Sequence, residues 1–311
     1  MSLAKVFPRG LLRGYTDYFF AVEQPVNLAI GRIVLFGYAF IYFSLIMPVD
    51  FTALCEIPDL FLQIPGLTRF LGFGVAAKAN VAVIQFVWMA TSIGACLGLL
   101  TRINMIVATI LFGYLVALTN AYGHPRIGHP LLFFAMVIMC TAPCGQVLSL
   151  DSLFFRHRGV RASQPPLVWQ RKIIFLLPIL VIWGAGLEKL RTSGLSWGWS
   201  NTLKLLIHSG RYQFALTDFQ LATSRFAADY LPMRLAAASG LALELTAPLA
   251  LFKTRLRTPM ISALFGFIIV IWWTVAEPMF EFMTLLTFGI DWHALGMRGR
   301  QLVSRRTEGS D

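Results

Sequence analysis

Long apolar runs separated by short polar segments are the main pattern along this chain of 311 residues. A helix needs about 17 to 25 apolar residues to cross a bilayer. The pattern therefore predicts an all-α membrane bundle of about eight spanning helices. The predicted spans are Leu28–Met47, Val81–Leu100, Ile103–Thr119, Pro130–Pro143, Ile173–Leu187, Leu235–Phe252, Met260–Trp273 and Met279–Leu295.

The composition supports a polytopic membrane protein over a soluble one. Hydrophobic residues make up 57% of the chain and charged residues 13%, and the mean hydropathy is +0.69. A soluble chain of this length cannot bury so much apolar surface. The net charge of +11 is typical of basic segments at the cytoplasmic ends of membrane helices. We therefore expect no nucleic-acid partner.

The positions of the cations decide between seven and eight spans. The basic segments are the N-terminus, the turn at Arg102, the connector 145–172, the turn 253–257 and the tail 298–306. With eight spans all of them lie on one side, whereas with seven the basic tail lies alone on the other side. The positive-inside rule favours eight. It predicts that both termini of this integral membrane protein are cytoplasmic, and we expect a bacterial inner membrane.

This topology predicts three regions and an outer face. The regions are a basic cytoplasmic N-terminus over 1–27, a transmembrane domain over 28–295 and a basic cytoplasmic tail over 296–311. On the outer face, the segments 48–80 and 188–234 are too apolar for ordinary loops. They predict helices that lie in the membrane interface.

Ionisable residues within apolar spans are costly, so each requires an explanation. Arg32 lies about one turn inside the first predicted span, where it either reaches back to the interface or forms part of a site. Glu244 lies near the middle of the sixth, so we expect it to be paired or neutral. A structural contact and a site role remain equally open for Glu244. His129, at the outer end of the fourth, is a candidate for proton transfer.

The segment WGAGLEKLRTSGLSWGW, from Trp183 to Trp199, carries the most unusual charges. Lys189 follows a long apolar run and lies among glycines and tryptophans. A lysine desolvated at a membrane boundary can act as a base near neutral pH. In the alternative interpretation, Glu188, Lys189 and Arg191 form a polar cap that anchors the helix among lipid headgroups.

The same segment resembles the HTTM superfamily, the membrane domains related to vitamin K-dependent gamma-carboxylase. The resemblance extends from about Arg32 to Asp291. It rests on short motifs: Trp183, Ala185, Gly186, Lys189, Leu190 and Trp197, with Ser149, Leu150 and Asp151 before them and Arg32 and Glu244 on other spans.

The resemblance implies a role for each candidate residue. Lys189 would be the base that activates a hydroquinone such as vitamin K at the outer face, and Glu244 and Glu188 would adjust its basicity. The expected ligand-binding residues are Trp183, Trp197, Trp199, His129 and Arg32. The implied cofactor is a quinone or hydroquinone, and the sequence has no metal signature.

The large lumenal domain of the carboxylase has no counterpart after the last predicted span, so peptide carboxylation is not expected. The leading hypothesis is a membrane protein that binds a quinone-like or lipidic ligand at its outer face. As an enzyme it would be a quinol-linked oxidoreductase or a carboxylase-like lyase. The alternative is a non-catalytic membrane subunit that anchors a soluble redox partner protein.

Overall fold

A computed structural model gives the fold of this chain. It describes residues 19–20, 22–46, 50–58, 74, 77–122, 127–157, 169–213, 219, 221–223, 225–226, 232–252, 254–275 and 277–297. Within these ranges the regular structure is helical and contains no strand, which confirms the all-α prediction. Most of the predicted cytoplasmic segments 1–27 and 296–311 lie outside the described residues.

The chain divides into two compact units, Met1–Ile174 with Asp291–Asp311, and Phe175–Ile290. In the first unit, α1 packs on α3, α3 on α4, and α4 on α5. A π-helical turn, Tyr42–Ile46, continues α1. The helices of this unit are α1 (Pro25–Ile41), α2 (Phe51–Leu54), α3 (Lys78–Leu97), α4 (Thr101–Ala121), α5 (Gly128–Cys140) and α6 (Leu150–His157).

The second unit contains most of α7 (Trp169–Ser193), which begins in the first unit, and all of the helices that follow it. Within this unit α8 packs on α10, and α9 contacts α10 and α12. These helices are α8 (Ser196–Trp199), α9 (Thr202–Gln213), α10 (Met233–Thr246), α11 (Leu249–Phe252), α12 (Thr254–Val275) and α13 (Phe280–Leu286), which a 3-10 turn (Thr287–Gly289) extends.

Five helices among the described residues are long and apolar enough to cross a membrane. They are Pro25–Ile46, Lys78–Leu97, Thr101–Ala121, Trp169–Ser193 and Arg255–Thr274. Each overlaps a predicted span, and together they are compatible with an integral membrane protein. The count of eight spans and the interfacial outer helices stay predictions.

The other three predicted spans correspond to shorter helices. Gly128–Cys140 has 13 residues, and at a rise of about 1.5 Å per residue it is shorter than the roughly 30 Å hydrocarbon core. The sixth predicted span is divided into α10 and α11 around Pro248, which lacks a backbone N–H. The last is divided into Phe280–Gly289 and the helical residues 292–297.

Candidate functional site

Lys189 and Glu244 form an ion pair in the second unit. Lys189 lies near the end of α7 and Glu244 near the end of α10, and the Lys189 ammonium contacts Oε1 of Glu244. The lysine side chain is 27% exposed and the glutamate side chain only 5%. The pair therefore has a buried carboxylate end and an accessible ammonium end.

Two glycines allow α10 to come this close to its neighbours. A Cβ on Gly186 would lie 2.9 Å from Cβ of Glu244, and a Cβ on Gly198 would lie 3.2 Å from Cα of Ala238. Both distances are shorter than ordinary van der Waals contact between carbons. Gly186 lies one turn before Lys189 on the same face of α7. These two glycines thus allow α7 and α8 to pack closely against α10 near the ion pair.

Trp197 completes this cluster. The Lys189 ammonium lies over the Trp197 ring, 5.3 Å from its centroid, which is within the range of a cation–π interaction. Trp199, two residues later on α8, is 64% exposed, and Trp183 is 37% exposed. Of the three predicted tryptophans, only Trp197 has a described contact with the lysine.

Glu188 has a different partner from the one that its position beside Lys189 suggests. Its carboxylate accepts hydrogen bonds from Nε and Nη2 of Arg191, at 2.9 and 2.6 Å. Both side chains are mostly exposed. The structure therefore pairs Lys189 with Glu244, and places Glu188 in a surface pair with Arg191.

Arg32 lies in the first unit and is fully buried. Its Nη2 donates to the carbonyl of Leu148 at 2.5 Å. Asp151, at the start of α6, binds the turn between α3 and α4, where its carboxylate accepts from the backbone N–H groups of Leu100 and Thr101 at 2.8 and 2.7 Å. These N–H groups are the unsatisfied donors at the start of α4. We call Arg32 and Asp151, with these bonds, the Arg32–Asp151 clasp.

His129 also lies in the first unit, at the beginning of α5. It is buried, and its ring lies against Phe43 with the centroids 4.9 Å apart. Phe43 in turn makes edge contacts with Trp88 and Phe112. His129 is therefore part of a buried aromatic cluster that the sequence pattern did not predict.

A polar network at the start of α1 was also not predicted from the sequence. Glu23 pairs with Arg171 and Lys172. The Asn27 side chain donates to Glu23 and to Asp291, at 3.3 and 3.1 Å. It also accepts a hydrogen bond from the backbone N–H of His293. Glu23, Asn27 and Asp291 help line a cavity of about 250 Å³. The sequence predicted Arg171 and Lys172 only as part of the basic connector 145–172.

The surroundings of Glu23 favour its ionised form. Burial raises the pKa of its carboxyl group, but the charges of Arg171 and Lys172, together with hydrogen bonds from Lys172 and Asn27, outweigh burial and lower the pKa. Asn27 is a polar residue directly before the first predicted apolar span, and this feature of the sequence could have indicated the network. Among the described residues, no group of three His, Cys, Asp or Glu could hold a metal ion.

Proton transfer within the Lys189–Glu244 pair is chemically possible, because the donor Nζ contacts the acceptor Oε1. If a proton passes from Nζ to Oε1, the charged pair becomes a neutral amine and a carboxylic acid. The amine can then accept a proton from an acidic hydroxyl group of a ligand. The second carboxylate oxygen, Oε2 of Glu244, is buried and has no hydrogen-bond partner among the described residues. It is a second acceptor beside the amine.

No family model matches the chain, and no curated protein or solved structure matches it at a significant level. The resemblance to the HTTM superfamily therefore stays a prediction from the residues that carry it.

Proposed function

We propose that this chain is a multi-pass membrane protein of HTTM type that binds a quinone-like or other lipid-soluble ligand beside Lys189. The observation that carries the proposal is the buried Glu244 carboxylate, which is paired with a part-exposed lysine beside an aromatic ring. A hydroquinone has the matching chemistry, because it presents acidic hydroxyl groups on an aromatic ring. Trp197 offers a surface for such a ring.

In this proposal Lys189 is the base and Glu244 is its proton store. The amine of Lys189 takes the proton of a ligand hydroxyl, which leaves an oxyanion beside the resulting ammonium. The proton that Lys189 gave up beforehand resides on Glu244. The charge that develops on the ligand is thus compensated by an adjacent cation. Electron transfer from the bound hydroquinone to oxygen is the reaction that the resemblance implies.

The test compares Lys189→Arg with Lys189→Ala in purified protein reconstituted into phospholipid vesicles. Arginine keeps the ion pair and the cation–π contact, but it does not lose its proton in proteins. We expect Lys189→Arg to fold and bind ligand, and to lose turnover of menaquinol or vitamin K hydroquinone with oxygen by about 10²–10⁴-fold, the usual contribution of a general base.

Glu188→Gln is the matched control, because Glu188 neighbours Lys189 but pairs on the surface with Arg191. It should leave turnover unchanged. Full turnover in Lys189→Arg would exclude the lysine as a base. No turnover and no quinone binding in the unsubstituted protein would favour the alternative, a non-catalytic subunit for a soluble redox partner.

A further inference from the structure

A leucine-rich surface in the first unit surrounds the turn between α3 and α4. Leu100, Leu148, Leu153 and Phe154 each expose more than half of their surface. The first two lie in turns, and the last two lie on α6. We call these four residues the leucine patch. Exposed apolar residues that lie close together are candidates for an interaction surface.

The backbone of the patch is held in an uncommon conformation. Leu100 has φ of 41° and Leu148 has φ of 51°, and they are the residues other than glycine with positive φ in the described part of the chain. A branched side chain adopts this region only where its surroundings impose it, and such positions cluster at functional sites. The conformation of both leucines therefore needs an explanation.

The Arg32–Asp151 clasp holds both positions through their own backbone groups. Arg32 binds the carbonyl of Leu148, and Asp151 binds the N–H of Leu100. Gly98 makes room for the clasp, since a Cβ there would overlap Nη1 of Arg32 and lie 2.8 Å from Cα of Ser149. The polar groups of Arg32 and Asp151 thus hold two exposed leucines at the surface.

The patch continues the apolar outer surface of two candidate spans. Leu97 ends α3 and Ile103 lies in the first turn of α4, and both are more than half exposed. Leu150, Leu153 and Phe154 have the i, i+3, i+4 spacing of one helix face. With eight residues, α6 is too short to cross a bilayer. A short helix with one apolar face is suited to lie in the membrane interface.

A basic residue lies beside the patch. Arg102 is exposed at the start of α4, two residues after Leu100. Basic residues beside an interfacial apolar face attract anionic lipid headgroups. We infer that the leucine patch docks into the interface of the membrane leaflet and prefers anionic phospholipid. The inference depends on membrane insertion of α3 and α4, but not on the chemistry of Lys189.

The experiment places the photoreactive residue benzoylphenylalanine at position 154, which preserves an aromatic side chain. The full-length protein is reconstituted in equimolar phosphatidylcholine and phosphatidylglycerol, irradiated, and its adducts are identified by intact mass. A matched probe at Ile110, an exposed residue in the middle of α4, reports on the hydrocarbon core. A second sample carries Arg102→Gln together with the probe at 154.

At position 154 we expect phospholipid adducts that favour phosphatidylglycerol by about fivefold, the ratio expected from one basic residue near the surface. At Ile110 both lipids should react equally, because their acyl chains carry no charge. Arg102→Gln should lower the ratio at 154 towards one.

Other results would contradict the docking of the patch, its preference for anionic lipid, or the insertion of α4. A lipid adduct at Ile110 with none at 154, or a cross-link from 154 to a second copy of the chain, overturns the inference alone. Equal yields of phosphatidylcholine and phosphatidylglycerol adducts at position 154 overturn the preference for anionic lipid. Absence of lipid adducts at Ile110 overturns membrane insertion of α4 and with it that part of the proposed function.

Discussion

The close approach of α7 and α10 makes Gly186 the most informative position to change. An alanine Cβ at this position would lie 2.9 Å from Cβ of Glu244 and 3.3 Å from its backbone carbonyl carbon. Carbon atoms pack at about 3.5–4.0 Å. Because the obstacle includes backbone, α10 has to move by roughly 1 Å to accept the Gly186→Ala side chain.

Two opposing effects set the stability of this variant. Alanine in the interior of a helix is favoured over glycine by about 0.5–1 kcal/mol. Overpacking of a close contact costs about 1–3 kcal/mol. Gly184 is the control, because it lies in the same helix and a Cβ there meets nothing within 4 Å. Relative to Gly184→Ala, we expect Gly186→Ala to be less stable by about 1–3 kcal/mol.

Thermal unfolding of both variants in the same detergent measures this difference. Turnover supplies a second measurement, because a shift of about 1 Å in a catalytic group can cost about 10²-fold. We therefore expect Gly186→Ala to lose most activity and Gly184→Ala to keep it. Equal stability and equal turnover in the two variants would refute the close contact between Gly186 and Glu244.

Three further predictions concern single polar groups. Asn27→Ala removes the side chain that hydrogen-bonds Glu23, Asp291 and the backbone N–H of His293. It should lower the free energy of unfolding, measured in denaturant titrations, by about 1–3 kcal/mol. Burial raises the pKa of Asp151, but hydrogen bonds from Thr101 and Leu100 outweigh it and lower the pKa. The ionised Asp151 carboxylate therefore stabilises the fold fully above the usual Asp pKa of about 4, and this stabilisation is lost as the pH falls through the lowered pKa. In melting curves recorded at a series of pH values, Asp151→Asn should remove this acid-dependent loss of stability. Glu188→Gln breaks only the exposed pair with Arg191. The free energy of unfolding should therefore change by less than about 1 kcal/mol.

The apolar pattern was sufficient to predict the helical class and the positions of the five long apolar helices. It was less reliable where apolar length and helix length differ. Residues 235–252 are apolar throughout, but Pro248 separates two helices there. Hydropathy sums the side chains and does not register the missing N–H of a proline. Burial was also not predictable from charge, because Arg171 and Lys172 are buried beside Glu23.

At the candidate site, the sequence showed which charges were unusual but not which of them meet. Glu188 seemed a natural partner for Lys189 because the two are adjacent in the chain. Helix geometry argues against it, because neighbouring residues do not face each other, whereas residues three apart do. Glu188 accordingly binds Arg191, at i+3. The partner of Lys189 therefore had to come from another helix, and Gly186 marks the face of α7 that can approach one.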